Sequence, residues 1–191
     1  MPYYTMRKVL YTIWEIGEVF FVALIAVAAI KYFLIQPFIV NGASMEPTFY
    51  DGDYLLVDEL SYRFREPVRG DVVVFKSPQD TSLYYIKRII GLPGEQLEIN
   101  DSEVMIYNET HPEGFLIGEE YLPGGIRSSW SGHIIITLED DQYFVLGDNR
   151  LNSLDSRYWG PLDRDNIVGL VKVRLWPLPQ AKVFGETEYA Y

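Results

Sequence analysis

Apolar and polar positions follow two different patterns along this chain. From Val19 to Ile30 every residue is apolar, and after Lys31 the run resumes from Tyr32 to Ile35. A helix from Ile16 to Ile35 would be about 30 Å long, enough to cross the hydrocarbon layer of a bilayer. The pattern predicts a transmembrane anchor over residues 15–36. Glu15 and Glu18 fall near one end, Lys31 snorkels toward the other, and Pro37 stops the helix. After Gly52 the pattern changes to short apolar runs separated by turn signals, which reads as strands. Candidates are Tyr54–Val57, Val72–Phe75, Tyr84–Ile90, Gln96–Ile99, Glu103–Tyr107, His133–Leu138, Tyr143–Leu146 and Ile167–Trp176. The cluster Gly91-Leu92-Pro93-Gly94 closes the third of these.

The expected organisation is therefore mainly β. An antiparallel, sheet- or barrel-like domain over 37–180 follows one transmembrane α-helix and a short N-terminal segment, 1–14. Residues 101–132, rich in turn formers, form a surface excursion or small subdomain, and 181–191 form a tail. Arg7 and Lys8 ahead of the apolar run favour a cytoplasmic N-terminus and an exported β domain. The alternative is a secretory signal peptide cut at Ala26-Val27-Ala28; against it, the apolar run continues past those alanines.

Composition narrows the function. The 191 residues contain no cysteine, so disulfides and thiolate metal sites are excluded. Three of the 16 basic and two of the 27 acidic residues lie in the first 40 positions, leaving 13 against 25 in the rest. An acidic domain of this kind disfavours nucleic-acid binding. Any contact of the β domain with lipid must come from apolar residues such as Phe38, Ile39 and Phe49. No metal-binding spacing is present: Asp51, Asp53 and Asp58, or Asp163 and Asp165, do not fit a calcium loop.

Three stretches could carry chemistry. Asn41-Gly42-Ala43-Ser44-Met45-Glu46-Pro47-Thr48 places a serine in a glycine-led, proline-stiffened loop. The plain alternative is a turn serine bonding its own backbone. In Tyr84–Gly91, strand alternation puts Tyr85, Lys87 and Ile89 on one face and Ile86, Arg88 and Ile90 on the other. Periodicity does not say which face is buried. Arginine stays protonated, whereas a buried lysine can lose its proton and act as a base. For the Lys87 amine to be mostly neutral near pH 8, its pKa must fall from about 10.4, at a cost of roughly 3 kcal/mol that desolvation can supply. A lysine snorkelling to solvent is the alternative. The third stretch, Gly147–Gly160, packs many polar residues behind an apolar strand, so those groups must serve as one another's partners.

Taken together, Ser44-Met45-x-Pro47-Thr48, Gly70-Asp71-x-Val73-Val74-Phe75, Tyr85-Ile86-Lys87-Arg88 with Gly91-Leu92-Pro93-Gly94-Glu95, and Gly147-Asp148-Asn149-Arg150-x-Asn152-Ser153-x-Asp155-Ser156-Arg157-x-Trp159-Gly160 resemble the ordered boxes of bacterial type I signal peptidases of the single-anchor type. The resemblance runs from the N-terminus to about Val173. It implies a membrane-bound serine endopeptidase that removes signal peptides from exported preproteins after Ala-x-Ala-type sites. Ser44 would be the nucleophile and Lys87 the neutral general base. Ser153 would orient the lysine. Ser44 and Gly42 would supply the oxyanion site; some relatives carry a serine where Gly42 stands. Asp148 with Arg88 and Asp155 with Arg157 would support the loops. Val40, Met45, Phe49, Tyr85 and Ile86 would line the substrate pockets. It further implies a monomer without cofactor, in the bacterial cytoplasmic membrane, with signal peptides and the lipid bilayer as partners.

Two other classes are weighed beside it. A self-cleaving repressor-type peptidase shares the Ser/Lys pair but should carry a DNA-binding module where this chain has its apolar run. A membrane-anchored, non-catalytic β scaffold would have no need of Ser44, Lys87 and Ser153 together.

Overall fold

The structure, a computed structural model, describes residues 2–33, 35–100, 103–119, 121–122 and 132–185. Its first element is helix α1, Pro2–Phe33. The apolar run continues to Ile35, but the helix does not. Pro37 disfavours helical geometry at the residue before it, and Ile35–Ile39 is strand β1 instead of the last turn of an anchor. The expected boundary at residue 36 is thus corrected to Phe33. Among the described residues no helix is long and apolar enough to cross a membrane. Trp14, Val19, Phe20 and Val27 on α1 are each more than 60% exposed, so no part of the β domain covers them. The placement of the Lys31 side chain lies outside the described residues.

Among the described residues the antiparallel β domain has two sheets. In the larger one, β1 pairs with β2 (Tyr54–Asp58), which pairs with β11 (Ile167–Trp176). The order continues through β3 (Val72–Lys76), β4 (Tyr84–Gly91), β9 (Gln142–Leu146) and β10 (Leu162–Asp163), while β12 (Lys182–Val183) pairs with β11. Pro37 is tolerated because β1 is an edge strand, with β2 as its one neighbour among the described residues. The smaller sheet runs β7 (Phe115–Leu116), β6 (Glu103–Tyr107), β5 (Gln96–Asn100), β8 (His133–Thr137). Of the excursion expected at 101–132, residues 101, 102, 120 and 123–131 lie outside the described residues, as does 186–191 of the tail.

β3 shows why this sheet is stable. Its Val73 and Phe75 enter one apolar cluster with Ile89, Tyr143 and Val145, and its Val72 and Val74 enter another with Met45, Phe49, Leu55 and Val57. The central strand is therefore covered on both faces, and burial of each such side chain contributes about 1.5–3 kcal/mol. A third cluster joins Ile90, Phe144 and Leu146 to Leu97, Ile99 and Ile106 of the smaller sheet. Both faces of β4 are buried from Lys87 onward, so alternation could not single out one cation. Arg88 is as deeply buried as Lys87.

Candidate active site

Two loops meet over β4. The first, 40–50, leaves β1 and is pinned from below. The Met45 and Phe49 side chains are fully buried, and the Phe49 N–H donates to the Met45 carbonyl across 2.9 Å. Arg174 of β11 donates to the Thr48 carbonyl and to Asp53 Oδ2, each at 2.9 Å, tying the loop to the sheet. With Met45 and Phe49 held in the core, the half-buried Ser44 stands over β4 beside Lys87.

There the Lys87 amine donates to Ser44 Oγ at 2.8 Å and to the Ile86 carbonyl at 2.8 Å. Lys87 is 4% exposed. Burial pushes its pKa down to about 8, against the opposing pull of Asp155 and Asp148. Both carboxylates are answered by arginines, which limits that pull. Asp148 accepts a two-pronged contact from Arg88 at 2.9 and 2.7 Å, and Asp155 accepts one from Arg157 at 2.8 and 2.8 Å. A serine hydroxyl beside an amine that is partly neutral at neutral pH is a nucleophile–base arrangement.

The second loop, 147–160, starts where β9 ends and contains a short helix, α2 (Ser156–Trp159), whose N-cap is Asp155. Asp155 also accepts from the Gly147 N–H at 3.0 Å, and Ser156 Oγ accepts from the buried Val145 N–H at 3.0 Å. Asn149 then grips the first loop. Its N–H donates to the Ser44 carbonyl and its side-chain amide to the Ala43 carbonyl, each at 3.0 Å.

The structure thus brings Ser44, Lys87, Asp148, Arg88, Asp155 and Arg157 into one network. It treats the other expected site residues differently. The Ser153 hydroxyl is buried but has no hydrogen-bond partner among the described residues, so it does not bond the lysine in this state. The Gly42 N–H donates to Asp51 Oδ1 at 2.7 Å and is committed there, not aimed at an oxyanion. A cleft of about 470 Å³ lies between β1 and β4, and Val40, Tyr85 and Ile86 line it together with Phe38, Ser44 and Lys87. Met45 and Phe49 do not line it. The resemblance implies them at its wall, but the loop tucks both into the core.

Sequence reasoning missed Asn149 and a longer tie. Arg150, 4% exposed at its side chain, donates to the Gly147 carbonyl at 2.9 Å and pairs with both carboxylate oxygens of Glu119. Arg88 stacks over the Tyr121 ring at 3.9 Å. Asn149 and Arg150 stood in a visibly polar stretch, but no local signal marks Glu119 or Tyr121.

The profile of the family described as "Signal peptidase, peptidase S26" matches residues 13–176 of this chain. "Probable signal peptidase I-2" of Synechocystis sp. is 36% identical over 172 residues, covering 87% of this chain and 74% of the relative. "Signal peptidase I T" of Bacillus subtilis is 33% identical over 180 residues, 93% of each chain. A solved signal peptidase I structure from Enterococcus faecalis is 31% identical and covers 56% of this chain and 97% of that one, with a TM-score of 0.47.

Proposed function

The chain belongs to the signal peptidase family, peptidase S26, whose activity is the cleavage of signal peptides from preproteins, and on that premise we propose that Ser44 and Lys87 do the cutting. The observation that carries this reading is the 2.8 Å contact between an almost fully buried lysine and an accessible loop serine. In the neutral state the amine accepts the Ser44 proton while Oγ attacks the scissile carbonyl. The Ser44 N–H steadies the resulting oxyanion, because the Gly42 N–H is already held by Asp51. As the tetrahedral intermediate collapses, the C–N bond breaks and the lysine returns its proton to the departing amine. Water, activated by the same amine, then releases the acyl half from Ser44. Ser153 orients the lysine by turning its unpartnered hydroxyl onto Nζ.

The substrate lies extended in the cleft between β1 and β4. The free edge of β1 offers main-chain pairing there, and the wall of Val40, Tyr85 and Ile86 leaves room for small side chains of the Ala-x-Ala kind. Helix α1 attaches the enzyme to the cytoplasmic membrane of a bacterium. Its run from Val19 to Val27 presents uncovered apolar residues, and Arg7 and Lys8 keep its start on the cytoplasmic side. Purified full-length chain incubated with a preprotein should release a mature chain whose N-terminus follows a small residue. Equal cleavage by Ser44→Ala would overturn the assignment.

A further inference from the structure

The family profile stops at residue 176, the end of β11, but the chain continues past it. A single helical turn, Leu178–Gln180, reverses its direction. Strand β12 then runs back along β11, with Val183 opposite Val173 and Lys182 opposite Arg174. The Phe184 N–H donates to the Lys172 carbonyl at 2.8 Å. Ala181, Lys182, Val183 and Gly185 are exposed, whereas Phe184 is half-buried. We propose that Phe184 is a positioning residue for Ser44: the returning strap sets its ring against the loop that carries the serine. This rests on the peptidase reading of Ser44.

The contacts lead from the ring to the nucleophile. The Phe184 ring packs on that of Phe49, with centroids 4.8 Å apart, and joins the apolar cluster that holds Val40, Met45 and Phe49. The Phe49 N–H donates to the Met45 carbonyl at 2.9 Å, and Met45 follows Ser44 directly. A shift of Phe49 is therefore passed to the serine through the main chain. Arg174 couples the two segments a second time. Its guanidinium lies 5.7 Å from the Phe49 ring and 5.8 Å from the Phe184 ring. It donates to the Thr48 carbonyl of the loop at 2.9 Å and to the Gln180 carbonyl of the strap at 3.0 Å. Phe184 also borders a cavity of about 40 Å³, lined as well by Val72 and Arg88. Truncating the ring would enlarge that cavity, and neighbours relax into such space only in part, so Phe49 would lose its fixed seat. The substrate cleft does not include Phe184, and its wall residue Val40 is held separately by main-chain bonds to Gly52 and Asp53 at 2.9 Å each. Phe184 thus acts on the place of the nucleophile and not on the walls that hold the peptide.

The test uses the full-length enzyme in detergent with a peptide substrate, at a temperature where circular dichroism shows each variant folded. Phe184→Ala should lower kcat about ten-fold with KM within about two-fold of the parent, since small displacements of a reacting group cost rate and not ground-state binding. Phe184→Leu should lose about three-fold, and Phe184→Tyr, which keeps the ring, should restore the parent rate. The pH midpoint of kcat/KM should be the same in all three, because Lys87 stays in place. Val183→Ala, on the same strap but 71% exposed, should match the parent. A parent-like kcat in Phe184→Ala, a loss carried by KM, a shifted midpoint, or an equal loss in Val183→Ala would overturn the proposal alone. Should Phe184→Ala not fold, Phe184→Leu decides: a lowered kcat with KM held supports the proposal, and an unchanged kcat overturns it. Absence of any Ser44-dependent cleavage by the parent would overturn the peptidase reading and this proposal with it.

Discussion

Gly147 lies directly against the main chain of Ser44: a β-carbon built at Gly147 would fall 2.5 Å from the Ser44 carbonyl oxygen and 2.2 Å from Ser153 Oγ. The Ser153 hydroxyl can turn aside, but Ser153 Cβ, also at 2.5 Å, and the Ser44 carbonyl cannot. The same Ser44 carbonyl is held at 3.0 Å by the Asn149 N–H two residues further on, so the two loops are in contact at this point. Gly147→Ala should therefore displace Ser44 by a few tenths of an ångström or more. The expected result is a loss of about 1–3 kcal/mol in stability. A kcat/KM reduced by about 100-fold should accompany it, read from thermal melts and peptide cleavage.

On the proposed mechanism, Lys87 sets the pH dependence of the rate. Its amine titrates at about 8 and must be neutral to take the serine proton, so kcat/KM should rise with pH through that value and then level off. Lys87→Arg should be inactive across the whole range, because a guanidinium keeps its proton.

The same burial also costs stability at lower pH. Unfolding returns the lysine to 10.5, so between about 8 and 10.5 the unfolded chain binds more protons than the folded one, and stability from this group rises with pH. Below about 8 the folded state carries the full cost of a buried charge. Measured against Lys87→Met by urea unfolding, the parent should gain about 2–3 kcal/mol between pH 7 and pH 10. A flat difference would contradict the depressed pKa.

Glu119 holds the second loop from a distance. Removing its carboxylate leaves the buried Arg150 guanidinium, among the described residues, with the Gly147 carbonyl and the Tyr121 hydroxyl as hydrogen-bond acceptors, and Glu119→Ala should cost about 3 kcal/mol. Glu119→Gln keeps an acceptor and should lose less. Because Arg150 bonds to Gly147, the Ala variant should also lower kcat at temperatures where it remains folded.

Much of this arrangement was legible in the chain. Eight strands fell within a residue or two of the alternating runs, and Ser44, Lys87 and the 147–160 loop were visible as unusual chemistry in a β-rich context. What escaped notice did so for physical reasons. Strand β1 starts on the last residue of the apolar run that supplies α1 and carries a proline at its centre. The two-residue strands β7, β10 and β12 are too short for a period. Helix α2 is a single turn whose cap, Asp155, also bonds to Gly147. Met45 and Phe49 flank the serine in sequence, yet neighbours along a tight loop point in opposite directions. The pairing of Glu119 with Arg150 spans 31 positions, which no local pattern encodes.

One further consequence follows from how α1 meets β1. Phe33 ends the helix and Ile35 already begins the strand, with Phe38 and Ile39 forming one bank of the cleft. One residue separates the two elements in sequence. On the membrane attachment proposed for α1, so short a tether would make the helix a ruler for the height above the lipid at which the serine works.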